Sequence, residues 1–307
     1  MVVNFAQALE QFPVILSECA VSERLRRLSG IDIHPTLFNT PLIYDDKGRA
    51  ALEDIYLSYI VVARRAKLPI LICAPTWRVD RERVEAAGVP KTINGDAVSF
   101  MTELKDRSVT VDSEIMVGAL LAPKHDCYAP DQALGRRQAS EFHGWQIDEL
   151  AASKADVIVA QTMPAVSESL GMADRLGASG KPYIISFVID RFGKVLDGTP
   201  LGEAMDRIDQ AAACPPAGYM VNCVYPSFVD AGRQPAGFFT RMIGIQANAS
   251  SRDHAELDGA EVLMRDPLPD WCQNMLALNR EYGVKILGGC CGTDDTYLQC
   301  LAGSLQQ

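Results

Sequence analysis

Eight short runs of aliphatic and β-branched residues, spaced widely enough to leave room for helices, most restrict how this chain can fold. They are "PVILS" (13–17), "PILIC" (69–73), "IMVGALL" (115–121), "VIVA" (157–160), "YIISFV" (183–188), "YMVNCV" (219–224), "RMIGI" (241–245) and "VKILG" (284–288). Each run is largely apolar instead of alternating, the pattern of strands buried on both faces of a parallel sheet. The intervening stretches have helical periodicity: "GRAALEDIYLSYIVVARRA" (48–66), "LGRRQASEFHGWQIDELAASKA" (134–155) and "LGEAMDRIDQAAA" (201–213). A fourth, "WCQNMLALNREYG" (271–283), ends in a glycine suited to closing a helix. Strand–helix alternation argues for βα units. Eight such units in 307 residues fit an α/β fold, a (β/α)8 TIM barrel spanning 1–307 as one domain. An open doubly wound sheet is the rival. No G-x-G-x-x-G follows the first run and no Walker A motif occurs, which weighs against nucleotide binding. The poorly patterned stretches 28–46 and 228–270 read as barrel loops.

Charge narrows the partners. The net charge is −10, and no basic stripe with interleaved aromatics is present, so no nucleic acid is expected. No window approaches the ~18 apolar residues of a membrane span, and the N-terminus lacks a basic region followed by an uninterrupted apolar run. The expected place is the cytoplasm, with no membrane contact. The nine cysteines are odd in number and scattered, unlike a secreted disulfide framework.

In barrels of this class the chemistry sits at the C-terminal ends of the strands. There the chain offers Glu18 and Cys19 after the first run, and Pro75, Thr76, Trp77 and Arg78 after the second. Gln161 and Thr162 follow the fourth, Asn222 and Cys223 end the sixth, Asn248 lies past the seventh, and Cys290 and Cys291 follow the eighth. Adjacent side chains in a regular strand point to opposite faces, so two consecutive thiols aimed at one point need a sharp turn. Gly288, Gly289 and Gly292 around Cys290 and Cys291 supply backbone freedom for it. With Cys223 as the third thiol, the set suits zinc with one position open for substrate. A substrate thiol held there would be deprotonated at neutral pH, ready to attack an electrophilic methyl group.

Other readings stay open at this point. The paired cysteines could be buried spacers in a tight turn, or part of a closed structural zinc site with His125 or Cys19 as fourth ligand. The histidines are His34, His125, His143 and His254, and His143 falls in a helical pattern that suits packing. Cys73, Cys127, Cys214, Cys272 and Cys300 read as core or incidental thiols.

"VNC" (221–223) followed by "GGCCGT" (288–293) resembles the homocysteine S-methyltransferase family of zinc-dependent enzymes. "ECAVSERLRR" (18–27) is similar to that family's D-G-x-x-x-x-x-L opening, with Glu18 in the aspartate place. "APTW" (74–77) resembles its T-N-T-Y, "AQTMPAVSES" (160–169) its E-T-x-P-x-x-x-E, and "SFVIDRFGKVLDGTPL" (186–201) its S-F-x-x-x-x-x-G-x-x-x-x-G. The resemblance implies a (β/α)8 barrel, Zn2+ held by Cys223, Cys290 and Cys291, and homocysteine as the thiol acceptor that becomes methionine. It implies substrate contacts from Glu18, Gln161, Thr76, Trp77, Ser186 and Asn222, and a pocket wall around Gly118. No side-chain general base is implied.

The departures are specific. Glu18 is one methylene longer than aspartate, Cys19 replaces a glycine, Gln161 replaces a glutamate, and Tyr297 replaces a histidine after the motif. A neutral Gln161 weakens recognition of an ammonium, since charge-assisted hydrogen bonds are roughly twice as strong as neutral ones. The chain ends shortly after the cysteine motif, without the extension of betaine-using relatives or a corrinoid or folate domain. A sulfonium donor such as S-methylmethionine is therefore the expectation, with Trp77 as a cation–π wall. The expected partners are small molecules, the thiol acceptor and the methyl donor; a homo-oligomer is open. A different thiol acceptor, or a subunit working with a separate corrinoid protein, is the alternative within the same chemistry. A non-catalytic, zinc-stabilised ligand-binding barrel is the alternative of another class.

Overall fold

The computed structural model describes residues 4–110, 114–253, 256 and 263–306. Every one of the eight apolar runs carries a strand: β1 (Ile15–Ser17), β2 (Ile70–Ala74), β3 (Ile115–Leu121), β4 (Val157–Met163), β5 (Tyr183–Phe187), β6 (Gly218–Val224), β7 (Met242–Ala247) and β8 (Ile286–Gly289). All pair in parallel with their chain neighbours, and β1 pairs with β8, closing the barrel. Among the described residues the helices are α1 (Phe5–Gln11), α2 (Ser22–Arg26), α3 (Asp46–Ala66), α4 (Arg81–Ala87), α5 (Ile93–Ser108) and α6 (Arg136–Ala152). They continue with α7 (Val166–Ala178), α8 (Leu201–Ala211), α9 (Phe238–Arg241), α10 (Leu268–Arg280) and α11 (Asp295–Leu305). None is long and apolar enough to cross a membrane.

Helix α3 shows how local sequence sets these elements. Asp45 caps it by accepting from the Gly48 amide at 2.6 Å. Leu52, Ile55, Tyr56, Tyr59, Ile60 and Ala63 recur at helical spacing and are buried against the sheet. Helix α10 ends at Arg280, and Gly283 follows at φ +76, donating its amide to Asn279.

Two apolar clusters result. One lies between the strands' outer faces and the helices. The other fills the barrel: Ile15, Leu71, Cys73, Met116, Val157, Val159, Ile184, Met220 and Ile286, with Phe5 and Ala8 of α1 packed among them. Since Ile15, Ile184 and Ile286 lie at the N-terminal ends of their strands, α1 acts as a plug at the bottom of the barrel. Asn4 and Gln7 fix its start with reciprocal hydrogen bonds of 2.9 and 3.0 Å. Gly118 belongs to this interior and not to a pocket wall: a Cβ there would stand 2.7 Å from the Cys73 Sγ.

Phe5 is 1 % exposed, so Phe5→Ala leaves a void at the barrel floor. We expect a loss of about 3–5 kcal/mol of stability, read as a lower denaturant midpoint.

Candidate metal centre

The three thiols converge through two backbone devices. On β6 the pairing with β7 runs Asn222 to Gln246 and then Val224 to Ala247, leaving Cys223 as an extra residue in a bulge. Its φ is +55, a left-handed value unusual for a side-chain-bearing residue. Asn222 braces the bulge. It is fully buried, its Oδ1 accepts from the Thr162 amide at 2.9 Å and the Ser186 hydroxyl at 2.7 Å, and its Nδ2 donates to the Thr162 hydroxyl at 2.7 Å. Thr162, at the irregularity between β4 and β5, is itself left-handed with φ +64.

The second device is the turn after β8. Gly288 and Gly289 have ordinary φ and are required by close approach. A Cβ on Gly288 would lie 2.8 Å from the Glu18 carbonyl oxygen, and one on Gly289 would lie 2.1 Å from the Thr293 hydroxyl and 2.8 Å from the Cys19 Sγ. Gly292 alone of the three needs the left-handed region, at φ +81. The Cys290 amide donates to Ala247 at 2.8 Å, the Cys291 amide to the Asn248 side chain at 3.1 Å, and the Thr293 hydroxyl to the Cys290 carbonyl at 2.6 Å. As a result the Sγ atoms of Cys223, Cys290 and Cys291 all lie within 4.8 Å of one another, and Cys223 and Cys290 are 2.9 Å apart.

The cluster favours a first thiolate at Cys223. Cys290 and Cys291 donate to its sulfur, Tyr128 donates as well, and together they push its pKa well below the ordinary thiol value. The protons that remain are held more tightly: Cys290 is pushed up, and Cys291 is pushed up to about 12 as donor to Cys223. Among the described residues no histidine or carboxylate joins this cluster.

The thiols open onto a cavity of about 660 Å3 that Glu18, Cys19, Trp77, Gln161, Asn222 and Gln246 also line. Glu18 is 5 % exposed, and burial pushes its carboxyl up to about 7, although it accepts from the Cys73 amide at 3.1 Å. A hydrogen-bond chain crosses the barrel to reach it. Gln161 Nε2 donates to Gln246 Oε1 at 2.6 Å, Gln246 Nε2 to the Ser17 hydroxyl at 3.0 Å, and that hydroxyl to Glu18 at 3.4 Å.

The remaining sequence candidates fall into place around this site. Thr76 does not line the cavity; its hydroxyl bridges the Leu120 amide and carbonyl, both at 2.8 Å, tying the loop after β2 to β3. Ser186 is buried under Asn222 and likewise stays off the cavity. Trp77 lines it, donates to the Gln161 carbonyl at 3.3 Å, and carries the Arg78 guanidinium over its ring at 4.9 Å, where a sulfonium was expected. Cys19 borders the cavity as a buried thiol pushed up to about 12, outside the cluster of three. His125 is exposed on the loop after β3, and its carbonyl accepts from Arg78. His143 packs between α6 and α7, 2.9 Å from the Glu168 carboxylate. His254 lies outside the described residues.

Gln246, Tyr128, Arg26 and Phe38 line the cavity without having been singled out from the sequence, and Cys127, read there as a core or incidental thiol, lines it too. Gln246 sits inside the β7 that the apolar run predicted only to residue 245. Tyr128 and Cys127, on the loop after β3, line the cavity. Their position in "HDCY" on the C-terminal rim was the available signal.

The family model described as homocysteine S-methyltransferase matches residues 14–305. Among solved structures, the metallated form of the homocysteine methyltransferase MmuM from Escherichia coli superposes with a TM-score of 0.73 at 16% identity, covering 96% of this chain and 98% of that one. Its oxidized form gives a TM-score of 0.71 at 17% identity, covering 96% and 97%. At such identity these likenesses establish the fold. None of the curated proteins matches the sequence.

Glu18 generates a pH prediction. A carboxyl at about 7 in the folded state and 4.5 when exposed binds its proton more tightly when folded, so protonation favours folding. That stabilisation is complete below pH ~4.5 and is lost as pH rises through ~7, about 3 kcal/mol in all. Glu18→Gln, already neutral, lacks this dependence. Denaturant melts at pH 5 and pH 8 should show the variant gaining on the wild type as pH rises; parallel behaviour of the two would contradict the assignment.

Proposed function

Since the chain belongs to the homocysteine S-methyltransferase family, we propose that it is a zinc-dependent enzyme. It would move a methyl group from a sulfonium donor such as S-methylmethionine to the thiol of homocysteine, giving methionine. The observation that carries this reading is the convergence of three thiols within 4.8 Å on a cavity large enough for both substrates. The donor set fits the metal: sulfur-only, with one sulfur already inclined to ionise and one side facing the cavity. When bound, zinc supplies the Lewis acidity that keeps an acceptor thiol ionised at neutral pH.

The chain's own residues do the rest. Cys223, Cys290 and Cys291 hold the metal, with Asn222 fixing the bulge that aims Cys223. Glu18 and Gln161 orient the acceptor's amino group; Gln246 and Ser17 hold those two in register with each other. Ionised Glu18 attracts the ammonium, so recognition strengthens as pH rises through about 7. Tyr128 and Cys127 shield the thiols from the side of the loop after β3.

The direct test supplies zinc, homocysteine and S-methylmethionine to the reduced protein and follows methionine by mass spectrometry. Wild type should form methionine, and Cys290→Ser should lose zinc and turnover together, by at least about a hundredfold. Chelation should stop the reaction and leave the circular dichroism melt nearly unchanged, because the barrel core is independent of the thiols. Collapse of the fold on chelation points instead to a structural metal.

One observation favours a second reading, a different thiol acceptor: position 161 is a neutral amide already donating to Gln246. With homocysteine as acceptor, Gln161→Glu should lower its KM by roughly threefold to tenfold through the added charge. If homocysteine turns over only in the variant, the acceptor has diverged.

A further inference from the structure

Among the described residues two guanidinium groups in the cavity make no ion pair. Arg26 from α2 and Arg78 after β2 both line it, and both face the Phe38 ring, at 5.4 and 5.8 Å. Phe38 meets Trp77 edge-on at 5.3 Å, and Arg78 covers the Trp77 ring at 4.9 Å. The four side chains thus form one cluster of two cations around two aromatic rings that meet edge to face.

Glu18 and Asp32 border these arginines and pair with neither among the described residues, and three other nearby carboxylates have partners of their own. Glu23 is 3.0 Å from Arg27, Asp80 pairs with Arg83, and Asp126 accepts from the Tyr128 amide at 2.9 Å. Among the described residues neither Arg26 nor Arg78 makes an ion pair. Arg78 donates one bond, to the His125 carbonyl at 2.8 Å, and its Nε is buried with no hydrogen-bond partner there. Burial and the Arg83 charge both disfavour the Arg78 cation, against weaker support from Cys127, Asp126 and Asp80. A chain of net charge −10 that sets two cations without an ion pair on the lining of a ligand cavity is arranged for an anion.

We propose that Arg26 and Arg78, stacked on Phe38 and Trp77, form a carboxylate-binding subsite that anchors one of the two amino-acid substrates. This rests on the proposed methyl transfer, in which acceptor and donor each carry an α-carboxylate. It gives Trp77 a different role from a wall against a sulfonium: it holds the guanidinium flat so that its free edge meets the carboxylate.

The test is calorimetric binding to the zinc-loaded protein of four probes: homocysteine, its methyl ester, S-methylmethionine and its methyl ester. For the anchored substrate the free acid should bind roughly tenfold to a hundredfold more tightly than the ester. Arg78→Gln should erase that preference for this substrate alone. Arg78→Lys should restore part of it, because it keeps the charge and loses the fork. Arg26→Gln should act in the same direction and less, since Arg26 is exposed. Circular dichroism should show each variant folded. Loss of preference on the homocysteine side makes the subsite the acceptor's, and on the S-methylmethionine side the donor's. Absence of any acid-over-ester preference in the wild type, or equal weakening of acid and ester in Arg78→Gln, overturns the proposal. Failure of the methyl transfer itself would appear separately, as no methionine in the assay with the preference intact.

Discussion

The pairing of β1 with β8 is the contact on which the rest of this structure depends. It is short, Ile15 with Ile286 and Leu16 with Leu287, yet it turns an open sheet into a closed barrel. It also joins the two ends of the site. Past this seam the Glu18 carbonyl accepts the Gly289 amide at 3.1 Å, and Glu23 accepts the Gly292 amide at 2.5 Å. The turn that carries Cys290 and Cys291 is therefore held by the segment that carries Glu18. Gly288 and Gly289 exist because that approach leaves no room for a Cβ. A barrel leaves no strand edge unpaired, so the two thiols stand on a base that cannot fray.

The upper layer of the barrel has a different character from its floor. Below, the interior is Ile, Leu, Val and Met packed around Phe5. Above, the inward positions are Ser17, Gln161, Ser186, Asn222 and Gln246, connected by hydrogen bonds. Buried polar groups are tolerated when they are paired. Here the pairing runs between β4 and β7, across the barrel, so the network fixes the spacing of opposite walls. Two neutral amides perform that role without adding a second buried charge beside Glu18.

This division explains what the sequence revealed. The eight strands were legible because their lower halves are continuous apolar runs. Their upper ends were not: β4 continues through Gln161, Thr162 and Met163, and β7 through Gln246 and Ala247, where the run is broken by residues facing the site. The three thiols were legible from "VNC" and "GGCCG". How they converge was not, because a bulge at Cys223 with φ +55 depends on Asn222 and on the pairing with β7, both tertiary. Two of the three glycines were assigned to backbone freedom when the need was for space. Thr76 and Ser186 sit at positions that suited a pocket, yet their hydroxyls bond within the protein. Tyr128 lies in a loop with no periodicity, so only the folded chain brings it to Cys223.

The seam between first and last strands also has a consequence in time. During synthesis the chain emerges from its N-terminus, and seven strands can leave the ribosome before Ile286 does. Until then the barrel is unclosed, and Cys223 stands alone of the three thiols that belong together. The complete trio arises only when the final βα unit docks onto β1, so the convergence of the three sulfurs is coupled to completion of the fold. A truncated or half-folded copy would present one sulfur where the finished barrel gathers three.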